Sequence, residues 1–503
     1  MKHAVLINNS YIENTSARYL GAHLKNKGYR VTVIHYEGSK DTVFQLLPEE
    51  SLQKLADYCR KCDLVGISLL TTHQLERSIQ INDYLKDRIA APIIWGGVPV
   101  MCSPQDYLLY AELICAGEGE NVMAELLEGR NYADIAGLGY HLPDGRVQVN
   151  AIPDLIDLNR QPVPYMELDH GFLLRGRELL RLRDHVHLLR ASYLGMTIRG
   201  CPYACSYCIN SRLKQVFHRK GPFIRFIDTE LVMQELEWAV ANIPHLKSVT
   251  LDDDDFFMRP VKEMESFLAA YRDRVNLPFY YLQATIKQVH ESKLKLLQKY
   301  GIRMRFLKIG LQSASRRVSR EIFDRNFDPD LFIEKLKLLA AYDVSVILDV
   351  ISDNPYDTPA DKYEALLFYR NVLRSIRPIA AIARPVKIYD HKLMYYPDTK
   401  LYNKARQDGV ISEDYIKQVL LKRNTVRKHD EDLDNDTLII ALFNIAIRKS
   451  RLARLAGVLL ELLCYRPFFN LYTRLDIVRC TYNFRAVPFV AGIMRKLQKE
   501  GLW

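Results

Sequence analysis

The chain has 503 residues, nine cysteines and a formal net charge of +10. That length exceeds one ordinary domain and suffices for several cores, and 48% hydrophobic with 26% charged residues excludes a disordered or fibrous chain. The thiols lack a regular disulfide-like spacing and no long apolar leader opens the sequence, so the expectation is a cytoplasmic globular protein whose grouped cysteines bind metal or do redox chemistry.

Over residues 1–130, short apolar strands (AVLINN, RVTVIHY, LVGISLL, APIIWGG, AELICAGEGE) alternate with helical segments at 15–28, 48–60 and 74–88. Strands apolar throughout, with helices between them, predict a doubly wound parallel sheet covered on both faces, a Rossmann-like domain. Small and polar residues gather where these strands end: Asn8 to Ser10, Ser68 to Thr72, Gly96-Gly97-Val98-Pro99 and Gly117-Glu118-Gly119-Glu120. Ligands of open α/β sheets sit at such ends, and glycines there admit a large flat ligand. Dinucleotide binding is disfavoured, because the turn after the first strand, INNSYIENTS, has no glycine and GEGENV lacks a third.

Residues 131–190 read as a connector, with GLGYHLPDGRVQVN as a small hairpin and a Pro-punctuated extended run after it. A second α/β series fills 191–411. Its strands are YLGMTI, SVTLDD, FYYLQAT, RFLKIGLQ, VSVILDVI and IARPVKIY, with helices between them, which predicts a partial (β/α)6 barrel with its chemistry at the C-terminal strand ends. Asp252 to Asp255, Gln283, Thr285, Gln312, Ser313, Asp353 and Asn354 fall at those ends.

A small helical domain over 412–503, a candidate substrate cap, contains LIIALFNIAI and LARLAGVLLELLC, both shorter than the roughly 20 residues of a membrane span. From Arg448 to Lys496 there are ten Lys/Arg against two acids. Two readings stand: a solvated basic face, or an anionic partner such as an acidic substrate, peripheral membrane contact at the inner face, or nucleic acid.

The segment RGCPYACSYCIN places Cys201, Cys205 and Cys208 on one loop after the first barrel strand. Three thiolates cannot complete a tetrahedral structural zinc site without a fourth ligand from elsewhere. They suit a four-iron four-sulfur cluster whose fourth iron is left to an exogenous ligand.

With Tyr207 before the last cysteine, this loop resembles the Cys-x3-Cys-x2-Cys signature of the radical S-adenosylmethionine (SAM) superfamily. LDDDDFF resembles its Asp-Asp-x-Phe strand end, KIGLQSASRRVSREIF its Gly-x-Glu-Ser segment, DVISDNPYDTPADK its Gly-x-Pro-x-Glu-Thr turn and YYPDTKLYNKARQDGVI its Pro-Gly-Thr-x-Leu-Tyr end. The N-terminal DLVGISLLTTHQLERSIQINDYLKD, PIIWGGVPV and AGEGENVMAELLEG look like the cobalamin-binding domain that precedes the barrel in class B methyltransferases of this superfamily. The resemblance covers residues 1–411.

The resemblance implies a [4Fe-4S] cluster on Cys201, Cys205 and Cys208, and a SAM pocket drawing on Tyr207, Asp253, Asp254, Gln283, Gln312 and Ser313. It also implies a cobalamin surface made by Ser68, Leu69, Thr71, Gly96, Gly97, Val98, Gly117, Glu118 and Gly119. The first loop lacks the Asp-x-His-x-x-Gly element, so cobalamin would bind without a protein histidine ligand; GGVPV replaces the family's GGxHP, and Gln312 stands where the family has Glu.

By that resemblance the cluster reduces SAM to methionine and a 5′-deoxyadenosyl radical, which abstracts hydrogen from substrate before methylcobalamin delivers the methyl group to a poorly activated carbon. The partners implied are a small-molecule, lipid or peptide substrate and an electron donor such as flavodoxin or ferredoxin. The alternatives are cyclisation, ring contraction or oxidation without methyl transfer and, from another class, a metal-bearing nucleic-acid module, which the sparse aromatic and basic interleaving disfavours. Cys59 and Cys62, a CxxC without active-site context, and His35, His73, His141 and His170, without partners at metal spacing, are not expected to be ligands.

Overall fold

The computed structural model describes residues 1–9, 15–36, 46–70, 74–382, 385–415, 435–448 and 450–474. The chain divides into two compact units. The first holds Met1–Asp254, Ala269–Leu277 and the stretch from Met394; the second holds Asp255–Leu268, Pro278–Leu393 and the C-terminal helices.

The first unit opens with five parallel strands, β1 His3–Asn8, β2 Arg30–Tyr36, β3 Leu64–Ser68, β4 Ile93–Gly96 and β5 Leu113–Cys115. Strand β1 is buried along its whole length, and alternation sends its apolar residues to two cores. Val5 and Ile7 pack with Ile67 and Trp95 on one face, while Ala4 and Leu6 pack with Val33 and Ile94 on the other. This is the two-faced burial that an apolar strand run predicts.

The segment read as a connector instead builds the edges of this sheet. β6 Leu138–His141 and β7 Val147–Val149 continue antiparallel from β5, while β8 Gly171–Arg175 pairs parallel with β2 and turns back as β9 Glu178–Arg181. The spatial order is β7-β6-β5-β4-β3-β1-β2-β8-β9. Without these hairpins β5 and β2 would each present a row of unpaired backbone groups.

The barrel series begins in the first unit, where β10 Ser192–Gly195 and β13 Ser248–Leu251 pair in parallel, and where β11 Ile198–Arg199 and β12 Arg225–Phe226 form a short antiparallel ribbon. In the second unit β14 Phe279–Ala284, β15 Met304–Gln312, β16 Val346–Ile351 and β17 Val386–His391 run parallel in sequence order. Helices Glu291–Lys299, Pro329–Ala341 and Pro359–Ile376 follow β14, β15 and β16 in turn. Strand, then helix, repeated with parallel strands, is the partial β/α barrel pattern. The helix Asn435–Ala446 packs against β17, where Asn444 bonds the Ile388 backbone through both amide atoms at 2.8 Å.

Candidate active site

The sheet of the first unit reverses its winding between β1 and β3, where an open α/β sheet forms its ligand crevice. A cavity of about 310 Å³ lies there, at the C-terminal strand ends. Eight of the nine residues assigned to the cobalamin surface line it: Ser68, Leu69, Gly96, Gly97, Val98, Gly117, Glu118 and Gly119. The ninth, Thr71, lies outside the described residues, as does His73. No histidine is among the described residues lining the cavity.

Gly97 has a reason to be glycine apart from any ligand. Its φ is +111°, and a Cβ there would lie 1.9 Å from the Leu69 carbonyl oxygen. The first loop, lacking the histidine element, uses Asn9 structurally. Asn9 accepts from Arg77 Nε and donates to Ser78 Oγ at 2.7 Å, and Arg77 stacks 4.0 Å from the Tyr36 ring. Asn9, Arg77 and Ser78 are all buried; burial also lowers the Arg77 guanidinium to about 10.

The opposite wall of the cavity comes from around the cysteine loop: Arg199, Gly200, Asn210, Leu213 and Phe217. Cys201, Cys205 and Cys208 occupy one loop between β11 and the helix Ile209–Val216, with Cys208 at its N-terminal boundary. The loop is pinned from several sides. Lys214 Nζ donates to the Tyr203 carbonyl at 3.0 Å, and the Leu401 amide, on the helix Lys400–Gln407, donates to the Ser206 carbonyl at 3.0 Å. Burial pushes the Tyr396 hydroxyl up to about 12, and Cys208 adds to the shift.

None of the three cysteines is in a disulfide; Cys205 is buried and the others are half-buried. Among the described residues no three His, Cys, Asp or Glu side chains are close enough to share a single ion. A cluster asks less, because each thiolate binds a different iron. Burial pushes the Cys201 thiol up to about 12, and Cys205 and Cys208 contribute through their charge. A metal reverses that preference by binding the thiolate.

The aspartates after β13 divide in role. Asp253, fully buried, accepts from Thr197 N at 2.6 Å, Thr197 Oγ1 at 2.5 Å and Ile198 N at 2.9 Å, so it fixes the turn leading into the cysteine loop. Asp254 is exposed and accepts from Asn210 Nδ2 at 2.8 Å, beside that loop. Tyr207 is half-buried within the loop.

Gln283, Gln312 and Ser313 lie in the second unit at the C-terminal ends of β14 and β15. Gln312 holds a left-handed φ of +64° at a register shift between β15 and β16, an uncommon conformation for a side-chain-bearing residue. The Ser313 hydroxyl accepts from the Ser315 amide at 3.2 Å.

Several polar groups at these strands escaped the sequence reading. Arg199 Nη1 meets Glu118 at 2.7 Å and Glu120 at 3.8 Å, and Arg225 grips Glu118 through Nη1 at 2.9 Å and Nη2 at 2.7 Å. Glu118 therefore joins the β5 turn to the ribbon beside the cysteine loop. Burial raises its carboxyl, but the two arginines prevail and hold it below the usual range. Arg18, 3% exposed, donates to the Leu194 carbonyl, pairs with Glu235 at 3.3 Å and lies 4.7 Å from the Tyr193 ring centroid. In the second unit Asp349 bridges Lys308 at 3.4 Å and His391 at 3.1 Å across β15, β16 and β17. The half-buried alternation of β15, with Lys308 on the same face as Gln312, is the signal that marks this lumen-type face.

The fold and the site define a class: a doubly wound domain with a strand-end cavity, followed by a β/α barrel series that carries three cysteines after its first strand. The family model for the B12 binding domain matches residues 8–127, and that for the Radical SAM superfamily matches residues 196–366. The chain therefore carries a radical SAM domain preceded by a B12-binding domain.

Among similar proteins, the anaerobic magnesium-protoporphyrin IX monomethyl ester cyclase of Rubrivivax gelatinosus is 28% identical over 41% of this chain and 36% of its own length. An uncharacterised methyltransferase of Pyrococcus horikoshii is 22% identical over 76% of this chain and 78% of its own. The hopanoid C-3 methylase of Methylococcus capsulatus is 23% identical over 62% and 58%. The chain thus spans less than two thirds of the first and third of these relatives.

Among solved structures, the radical SAM methyltransferase TsrM from Kitasatospora setae, with tryptophan substrate and a SAM analogue bound, superposes with a TM-score of 0.63 at 17% identity. The match covers 81% of this chain and 76% of that one. The cobalamin-dependent radical SAM enzyme OxsB, with aqua-cobalamin and SAM bound, gives 0.59 at 18% identity, over 82% and 56%. Both share the fold.

Proposed function

We propose that this chain is a cobalamin-dependent radical SAM methyltransferase acting on a poorly activated carbon of a small molecule. One observation carries the reading: a single cavity is lined on one side by the strand-end residues of the B12-binding domain and on the other by the helix that begins at Cys208. A methyl carrier in that cavity would lie beside the cysteine loop, which methyl transfer requires.

The residues fit the groups assigned to them. The cavity is mainly apolar, opened by Gly96 and Gly117, and suits the edge of a large macrocycle. The cysteine loop is braced by Asp253, Lys214 and Leu401 and offers three thiols and no fourth. When bound, the cluster and cobalamin supply one-electron cleavage of SAM and methyl carriage. Cys201, Cys205 and Cys208 would hold the cluster, Tyr207 would pack on the adenine side, and Asp254 would receive a polar group of SAM. Gln283, Gln312 and Ser313, at the ends of β14 and β15, are the further candidates for SAM contacts, and a flavodoxin or ferredoxin is the electron donor expected.

Anaerobic reconstitution with iron, sulfide, cobalamin and SAM tests this. The expected outcome is a cluster absorption band, 5′-deoxyadenosine and S-adenosylhomocysteine, and a product heavier by one methyl group per turnover. Cys201→Ala should lose the band and both nucleoside products. A dehydrogenated or rearranged product without S-adenosylhomocysteine would assign cyclisation or oxidation instead.

A further inference from the structure

The C-terminal helices of the second unit have an inverted surface. Helix Arg451–Leu463 turns Ala453, Ala456 and Leu460 inward, at 0, 4 and 0% exposure. Leu452, Leu455, Val458, Leu459 and Leu462 stand outward at 42 to 58%. A surface helix normally buries its large apolar side chains and exposes polar ones; this one buries mostly small residues and exposes large ones. The next helix, Arg466–Arg474, buries the aromatic residues Phe469 and Tyr472, with the Phe469 ring 5.1 Å from that of Tyr363, while Phe468 and Leu471 on it and Tyr465 just before it are 51, 51 and 61% exposed.

Eight large apolar side chains within 20 residues are thus exposed on these two helices and the turn between them, a concentration rather than scattered single exposures. Charge decides what fits it. Between Leu452 and Thr473 the residues with acidic or basic side chains are Arg454, Glu461 and Arg466. Glu461 is taken up by Arg374 through two bonds of 2.7 Å, whereas Arg454 and Arg466 are exposed, Arg466 with its guanidinium 5.6 Å from the Tyr363 ring centroid. The patch is therefore flanked by cationic charge and carries aromatic groups suited to the headgroup level.

The two helices have 13 and 9 residues, short of the roughly 20 a span requires, and no described helix is long and apolar enough to cross a membrane. Large apolar side chains on one face, arginines at its margin and short helices are the properties of an element that lies in the membrane interface. We propose that this face docks the protein on an anionic phospholipid bilayer, with Leu455, Leu459, Leu462 and Phe468 entering the headgroup–acyl boundary and Arg454 and Arg466 meeting lipid phosphates.

Flotation of the full-length protein with phosphatidylglycerol-containing vesicles and with pure phosphatidylcholine vesicles tests this at low and high salt. The wild-type protein should float with the anionic vesicles at low salt, and less so with neutral vesicles or at high salt. Leu455→Ser/Leu462→Ser should reduce partitioning at least about tenfold, and Arg454→Gln/Arg466→Gln should remove most of the anionic preference, both with the wild-type melting temperature.

Wild-type protein that stays unbound to anionic vesicles at low salt overturns the proposal. So does sedimentation as a dimer that Leu455→Ser/Leu462→Ser converts to monomer, since the face would then be a self-interface. A large fall in melting temperature in that variant overturns it too, because the leucines would be covered by the chain itself. Docking is independent of the chemistry proposed above: protein that floats but transfers no methyl group keeps this inference and loses that reading.

Discussion

Glu118 illustrates how one side chain acquires its role. It sits in the glycine-rich turn after β5 and lines the cavity, and its carboxylate is shared by Arg199 and Arg225. Both arginines are distant in sequence, by 81 and 107 residues. Neutralising one partner of a buried ion pair leaves charge without compensation, so Glu118→Gln should cost about 3 kcal/mol, read as a lowered denaturation midpoint.

Asp255 carries a pH dependence at the same scale. It is fully buried and accepts from Thr285 N at 3.1 Å and Thr285 Oγ1 at 2.7 Å. Burial raises its carboxyl to about 6, against the lowering pull of the Thr285 donors. The folded state then holds a proton more tightly than the unfolded chain, where the value is 3.8, so stability falls as pH rises from about 4 to about 6. Asp255→Asn should remove about 2 kcal/mol of that dependence, measured as a smaller loss of melting temperature between about pH 4 and about pH 7 than the wild-type protein shows.

At the scale of elements, helix Pro359–Ile376 shows local sequence setting a boundary. Thr358 and Asp361 form a reciprocal capping box with Pro359 in the first turn. Burial opposes the charge on Asp361, yet bonds from Arg317, Ser315 and Thr358 hold it below the usual carboxylate range. Thr358→Ala should destabilise by about 1 kcal/mol, detectable in the thermal melt. The residues DTPAD carry that signal by themselves, because a cap needs only its near neighbours in the chain. The sheet edges were not readable in the same way. Residues 131–190 look like a connector because their strands are short and Pro-punctuated, and only pairing with β5 and β2 makes them part of the sheet.

At the scale of the whole molecule, the order of parts was legible: a parallel sheet domain, then a β/α series, then helices. Period-two and helical apolar patterns depend on local burial, and each repeat declares itself. That the three cysteines share one loop was legible for a similar reason, since they lie within eight positions of one another. The wall of the cavity on the side of the cysteine loop was not. Asn210, Leu213 and Phe217 line it beside Ser68 and Gly96, residues more than 100 positions away in the chain.

The sequence by itself determined the order of the sheet domain, the β/α series and the helices, the cysteine loop and the class of chemistry, all of which rest on neighbouring residues. Only the tertiary structure decided that Glu118 serves arginines, that Asp253 braces a turn, that Lys308, Asp349 and His391 meet, and that helix Arg451–Leu463 turns most of its leucines outward. Each of these is fixed by residues far apart in the chain, whose meeting depends on packing rather than on local pattern.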